Sequence, residues 1–386
     1  MNILHFYKTA FPYSVGGVEK VIHELAKGSV ARGHQVDVIA LADVAEKRSL
    51  DGYTVHCCPT LFEAASTPVS FSAAIEFKKL ARKADVINYH FPWPYMDVVH
   101  FATGVNKPSV ATYHSDVVRQ RRAARVYAPL RHAFLNSVDA IVATSPNYRA
   151  TSVTLQRHLS KVEVIPLGIT DTASTSIEPD NLRGWRDRFG EHFFLFVGAL
   201  RYYKGLRTLI DAAQGTRVPV VIAGAGPTER ELRAQAKRLN VDNVHLVGHV
   251  SDADKASLLT LCRAVVFPSD LRSEAFGVTL LEGAMFAKPL ISSEIGTGTS
   301  YVNIDGETGI VVPPRNPAAL RSAMERIWSD PSWAVEAGRR ARLRYEALFT
   351  GERMCREYLR LYQDLLLRRK SVDLCSDAPT HGSPTG

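Results

Sequence analysis

Two carboxylates, Glu274 and Glu282, stand eight residues apart in the run Ser273-Glu-Ala-Phe-Gly-Val-Thr-Leu-Leu-Glu-Gly283. The run reads as the start of a helix. At about 1.5 Å of rise per residue, the two carboxylates lie roughly 12 Å apart. That is the reach of a nucleotide-sugar from its sugar, across the diphosphate, to the ribose. The helix N-terminal N–H groups near Phe276 and Gly277 fall between them and favour an anion. Carboxylates at both ends accept from hydroxyls. An exposed helix start with ordinary acidic residues has the same spacing, so the other loops must decide between the two.

A second cluster follows Phe193-Phe-Leu-Phe-Val-Gly198, where a strand ends and the next loop presents Arg201 and Lys204. A guanidinium and an ammonium at the edge of a sheet neutralise a diphosphate without metal, unless they are plain surface cations. Gly224-Ala-Gly226-Pro227 closes another strand and reads first as a tight turn, second as a phosphate contact. Asp252-Ala-Asp254 has the spacing of some Mn²⁺ sites, but it opens a helix after Ser251, so capping is the expected role and no metal is predicted. Gly16 and Gly17 follow the first strand, where the backbone can approach a ligand closely or simply turn. His114 and Asp116 close the strand Val110–Tyr113 and point to the same cleft, with a structural histidine as the alternative. Arg119, Arg121, Arg122, Arg125 and Arg131 then alternate with apolar residues. That stretch suits an anionic membrane surface carrying a lipid diphosphate, or equally a solvated face.

These loops need a scaffold. Strands are expected at Ile3–Tyr7, Val36–Leu41, Val86–Tyr89, Val110–Tyr113, Ala140–Thr144 and Val162–Ile165. A second set is expected at Phe193–Val197, Val218–Ala223, Val244–Val247, Ala264–Phe267, Pro289–Ser292 and Gly309–Val312. Helical patterns separate most of them; Val18, Val21, Ile22 and Leu25 mark one helical face, and Gly33 is placed to end that helix. Such alternation implies an α/β protein with two doubly wound parallel sheets, and ligand bound between them at the C-terminal strand ends. The expected boundaries are 1–168, a polar linker at 169–190, 191–350, a last helix at about 351–370, and a disordered tail at 371–386.

With 386 residues, 46% hydrophobic and 22% charged, the chain has material for two full cores. No apolar run is long enough for a membrane span, and the first residues read as a strand rather than a signal peptide. A cytoplasmic protein is expected, peripheral on the inner membrane face if the arginine stretch binds lipid. The five cysteines, Cys57, Cys58, Cys262, Cys355 and Cys375, show no C-x-x-C pair and read as reduced structural thiols. A net charge of +8 favours anionic partners, and no nucleic-acid-binding signature accompanies it.

Together, Gly16-Gly17, Arg-Gly-His-Gln-Val36, His114, the Arg201/Lys204 loop, Gly224-Ala-Gly226 and Glu274-x7-Glu282 resemble the retaining glycosyltransferases of family 4, over about residues 1–370. The resemblance implies the GT-B fold, two facing Rossmann-like domains, the first on the acceptor side and the second binding nucleotide-sugar. It implies a last helix crossing back to the first domain. It puts Glu274 on the donor sugar, Glu282 on the ribose, Arg201 and Lys204 on the diphosphate, and His114 beside the transferred sugar. Gly17, with Gly16, comes near the diphosphate or acceptor; Gly198, Gly224, Phe276 and Gly277 line the donor site, and Val250 the base pocket. Two places depart from many relatives: Ala199 where an arginine is usual, and the loop 296–302, which lacks a Gly-Gly…Glu pattern. The wording around both loops is similar to bacterial polysaccharide-assembly mannosyltransferases. The expectation is a metal-independent, cofactor-free transfer of a hexose, mannose from GDP-mannose first, to a glycan or polyprenyl-diphosphate-linked acceptor. The alternatives are a UDP-glucose, UDP-galactose or UDP-N-acetylglucosamine donor, a nucleotide-sugar epimerase, and a non-catalytic nucleotide-sugar or lipid-binding subunit.

Overall fold

A computed structural model describes residues 1–14, 16–64, 67–116, 121–175 and 177–376. The N-terminal half contains β1 (Asn2–Phe6), β2 (Gln35–Ala42), β3 (Glu46–Leu50), β4 (Tyr53–Pro59), a small hairpin of β5 (Phe62–Ala64) and β6 (Thr67–Val69), β7 (Val86–Phe91), β8 (Ser109–Tyr113), β9 (Ala140–Ala143) and β10 (Val162–Val164). Its main sheet runs in the order β10-β9-β8-β7-β1-β2-β4-β3. Every pairing is parallel except β3 with β4. The second half adds β11 (Phe194–Val197), β12 (Val220–Ala223), β13 (Val244–Gly248), β14 (Ala264–Phe267), β15 (Leu290–Ser293) and β16 (Gly309–Val312). They form an all-parallel sheet in the order β13-β12-β11-β14-β15-β16.

The sequence explains most of these strands. Phe-Leu-Phe-Val of β11 and Ala-Val-Val-Phe of β14 are buried throughout, because helices cover both faces of a parallel sheet. Twelve expected strands fall within about two residues of observed ones. The edge pair β3–β4 and the hairpin were not expected. Glu-Lys-Arg-Ser-Leu of β3 lies on an edge with its charges exposed, so no apolar alternation marks it.

The two halves connect twice, side by side. Ile169 pairs with Thr350, and a Cβ on Gly168 would meet the Thr350 carbonyl oxygen at 2.2 Å. Only glycine lets the two crossings touch there. The second part of the expected linker at 169–190 is a helix, Pro179–Phe189. Asn181 and Trp185 of that helix donate to Asp254 at 3.0 and 2.8 Å, joining it to the second half.

The last helix, Gly351–Ser376, does cross back to the first half. Its Tyr358 and Tyr362 hydroxyls bond Thr112 at 3.0 Å and Asn88 at 2.8 Å beneath the first sheet. It takes in the first six residues of the expected disordered tail, 371–376; residues 377–386 lie outside the described residues. Cys57, Cys58, Cys262 and Cys355 are buried free thiols, and burial pushes those of Cys58 and Cys262 up to about 11. Among the described residues, no helix is long and apolar enough to cross a membrane.

Candidate active site

The C-terminal strand ends of the two sheets border one cleft. On its second-domain side, a one-turn helix Tyr202–Lys204 follows β11. It ends at Gly205, where φ is +68° and a Cβ would strike the Pro268 carbonyl oxygen at 1.9 Å. This seats the Lys204 ammonium 4.5 Å above the Phe267 ring centroid and in a salt bridge to Glu274. Ser269 Oγ also reaches Glu274, at 3.4 Å.

Glu274 is not on the helix. It lies in the turn before it, with its N–H donating to Leu271 O at 3.0 Å. The helix is Val278–Met285, opened by Gly277 at φ +86°. The helical-rise estimate therefore holds only for the Glu282 half of the interval. Glu282 itself is buried, at 6% exposure. It accepts from Lys20 at 2.9 Å and from Lys255 at 3.1 Å. Burial alone would raise this carboxyl, but the two ammonium groups outweigh it and hold the group at about 2. Lys20 belongs to the first domain, so the pair spans the cleft.

On the first-domain side, Gly16 caps the helix Gly17–Val30. A Cβ on Gly17 would lie 3.6 Å from Val278 Cγ2, which puts this loop against the start of the second-domain helix. Lys8 follows β1. Burial first, and then Arg201, lower its ammonium pKa, against the opposing pull of Glu19 and Glu63. Arg201, exposed, thus shares the cleft with Lys8.

His114 is buried at 6% exposure and joined to two further histidines. His114 Nε2 lies 2.9 Å from His90 Nδ1, and His90 Nε2 lies 2.9 Å from His5 Nδ1. The rings stack at 5.2 Å between successive centroids. Burial pulls His5 and His114 down to about 3, and burial with the two neighbouring imidazoles holds His90 well below its ordinary value, so all three are neutral.

The remaining candidates are placed as follows. Asp116 does not face open solvent. It accepts from Tyr113 OH at 2.8 Å, Ser152 Oγ at 2.7 Å and, across the domains, Arg272 Nη2 at 3.1 Å. Arg272 also donates to Gly296 O at 2.8 Å and lies 5.1 Å from the Tyr148 ring centroid. This clasp ties Asp116 to the second domain. Arg119 lies outside the described residues, as do the side chains of Arg121 and Arg122; Arg125 is exposed on the helix Arg121–Ser137. Phe276 is buried at 2% and packs edge-on to Phe349, so its side chain serves the core rather than the cleft. Val250 is half-buried between β13 and the next helix. A Cβ on Gly224, at φ +141°, would strike the Gly198 carbonyl oxygen at 2.0 Å, so these glycines let two loops pack together. Asp254 forms a capping box with Ser251, and Asp252 accepts from Lys255 at 2.7 Å. No group of three or more potential metal ligands occurs among the described residues.

Sequence reasoning did not single out Lys8, Lys20, Lys255, Arg272, His5 or His90. The histidines had a signal. His5, Asn88, His90, Thr112 and His114 all share one face of adjacent parallel strands, by the period of two. Polar residues inside otherwise apolar strands mark a buried network.

Two facing Rossmann-like domains, with paired carboxylates and lysines between their strand ends, define a GT-B glycosyltransferase. The C-terminal half, residues 183–347, matches the model for glycosyl transferases group 1. The N-terminal half, residues 15–172, matches glycosyltransferase family 4. The chain is 53% identical over 352 residues to the D-rhamnosyltransferase WbpZ of Pseudomonas aeruginosa, covering 91% of this chain and 92% of the relative. It is 46% identical over 368 residues to the O-antigen chain mannosyltransferase C of Escherichia coli, covering 95% and 99%. In fold it is similar to sucrose-phosphate synthase from Thermosynechococcus elongatus, with a TM-score of 0.80 at 22% identity, covering 95% and 99%. It is likewise similar to Anabaena Alr3699/HepE in complex with UDP and glucose, with a TM-score of 0.76 at 17% identity, covering 94% and 100%. The chain belongs to this family of glycosyltransferases.

Proposed function

We propose that this glycosyltransferase moves a manno-configured hexose, mannose from GDP-mannose first, with retention and without metal, to a glycan or lipid-linked acceptor of a cell-surface polysaccharide. One observation carries the reading: both carboxylates of the Glu274–Glu282 pair are held by lysines at the mouth of one cleft. Such pairs are exchangeable. A donor diphosphate competes for Lys204, and Glu274 then accepts from sugar hydroxyls. Ribose hydroxyls take up Glu282, whose carboxylate Lys20 and Lys255 keep ionised.

In the transfer step, the bond from the anomeric carbon to the diphosphate oxygen breaks, and the leaving charge develops beside Lys204 and Arg201. The acceptor hydroxyl bonds the same carbon on the face the diphosphate leaves. Its proton passes to a diphosphate oxygen, so no enzyme nucleophile is required. The occupied bonding of Asp252 and Asp254 supports metal independence. The names of the two relatives above support a mannosyl or D-rhamnosyl donor and the assembly of a polysaccharide chain.

A second reading is favoured by the 53% identical D-rhamnosyltransferase: a GDP-D-rhamnose donor, which lacks only the hydroxyl at C6. A thermal-shift panel separates these. GDP-mannose is expected to raise the melting temperature most. A larger shift with GDP-D-rhamnose moves the assignment to that donor, and a shift with UDP-sugars alone overturns both.

A further inference from the structure

The three-histidine file beneath the cleft has a directional consequence. Each neutral imidazole has one N–H donor and one bare nitrogen. Two hydrogen bonds in series therefore leave only two self-consistent settings. In one, every N–H points toward the cleft: His5 Nδ1–H donates to His90, His90 Nδ1–H donates to His114, and His114 Nδ1–H is presented outward. In the other, every N–H points inward, and His5 Nε2–H is the last donor of the file.

His5 Nε2 decides between them. It is buried and has no hydrogen-bond partner among the described residues. Asn88, in register with His5 on the adjacent strand, is committed elsewhere: its Oδ1 accepts from Thr112 Oγ1 at 2.8 Å and its Nδ2 donates to Tyr362 OH at 2.8 Å. An orphaned buried N–H is rarer in folded proteins than an under-used acceptor. The inward setting strands such an N–H; the outward setting leaves only a bare lone pair. The outward setting also aligns three imidazole dipoles with their positive ends toward the place where an anionic donor binds. Stacking at 18° and 26° between successive ring planes holds the rings in this file.

We propose that His90 and His5 are positioning residues that lock His114 in its Nδ1–H tautomer, so that the cleft is offered a neutral hydrogen-bond donor and not a base. This rests on the proposed placement of His114 beside the transferred sugar. His114 then recognises an oxygen of the bound sugar by donating to it. It does not take the acceptor's proton, which leaves the departing diphosphate as the proton's destination.

The test begins on the ligand-free, full-length protein labelled with ¹⁵N at histidine, so it does not depend on knowing the donor. Long-range ¹H–¹⁵N correlations report which nitrogen of each ring is protonated, with assignment by His114→Gln. The expected spectrum has His114 protonated at Nδ1 and bare at Nε2. A proton on Nε2 overturns the proposal whatever the enzyme transfers. In His90→Phe, His114 is expected to lose its Nδ1–H preference; retention of that preference shows that His90 is structural only. Should His90→Phe not fold, His5→Phe serves the same purpose at the far end of the file. In turnover, His90→Phe is expected to lower kcat/KM about tenfold, the scale of one hydrogen bond. The double variant His90→Phe/His114→Phe is expected to be no worse than His114→Phe alone. Losses that multiply contradict action through His114.

Discussion

The two walls of the cleft are built on opposite electrostatic plans. The second-domain wall is charged and paired: Lys204 with Glu274, and Lys255 with Glu282, which also draws Lys20 across from the first domain. The first-domain wall, flanked by Lys8 and Lys20, has a neutral centre: three stacked histidines, discharged by burial, above a file of hydroxyl and amide groups. Charged pairs can trade partners with an incoming anion at little net cost. A buried neutral file cannot, and stays where packing puts it. The difference teaches a division of labour. On the proposed reading, the lysines of the charged pairs serve the diphosphate that arrives and departs, and the fixed neutral histidines serve the sugar, which Glu274 also meets.

The largest effect is expected on the charged wall. Lys204→Ala removes the cation beside the departing diphosphate and strands Glu274, so kcat should fall about 10²–10³-fold in a transfer assay. Arg201→Ala, at an exposed position, should cost less. Equal losses for the two would mean that exposure does not distinguish them. Next, Glu282→Ala should weaken donor affinity about tenfold by calorimetry, through loss of ribose contacts. Unchanged affinity would remove Glu282 from the donor site.

A smaller effect concerns pH. Glu282 has a folded pKa of about 2 against an ordinary value of 4.5. Its contribution to stability is therefore complete above the ordinary value and is lost as pH falls through about 2. Melting curves of Glu282→Gln should lack this part of the acid sensitivity. An unchanged slope against the parent would show that the lysines do not hold the carboxylate ionised. The smallest expected effect is none at all: EDTA should leave turnover as it was. Loss of activity restored by Mn²⁺ would return Asp252 and Asp254 to the mechanism.

Much of this frame was readable in the chain. Parallel strands buried on both faces leave continuous apolar runs, so β11, β12 and β14 declared themselves, whereas the charged edge strand Glu46–Leu50 did not. The Glu274–Glu282 run marked its own importance, but not its shape. Glu274 lies in a turn because Gly277 takes φ +86° and starts the helix after it, which spacing alone does not reveal. The partners of the pair were hidden for a different reason. Lys20 meets Glu282 across 262 positions of sequence, and only the docking of two domains brings them within 2.9 Å. Arg272 and Asp116 are joined in the same way. The histidine file was the missed opportunity, since strand periodicity places all three rings on one face.

The division between the walls is tested most directly by calorimetry with GDP, which carries the diphosphate and ribose but no sugar. Lys204→Ala and Glu282→Ala should each weaken GDP binding, while His114→Phe should leave it unchanged and weaken only GDP-mannose. Loss of GDP affinity in His114→Phe, matching its loss for GDP-mannose, would contradict the division.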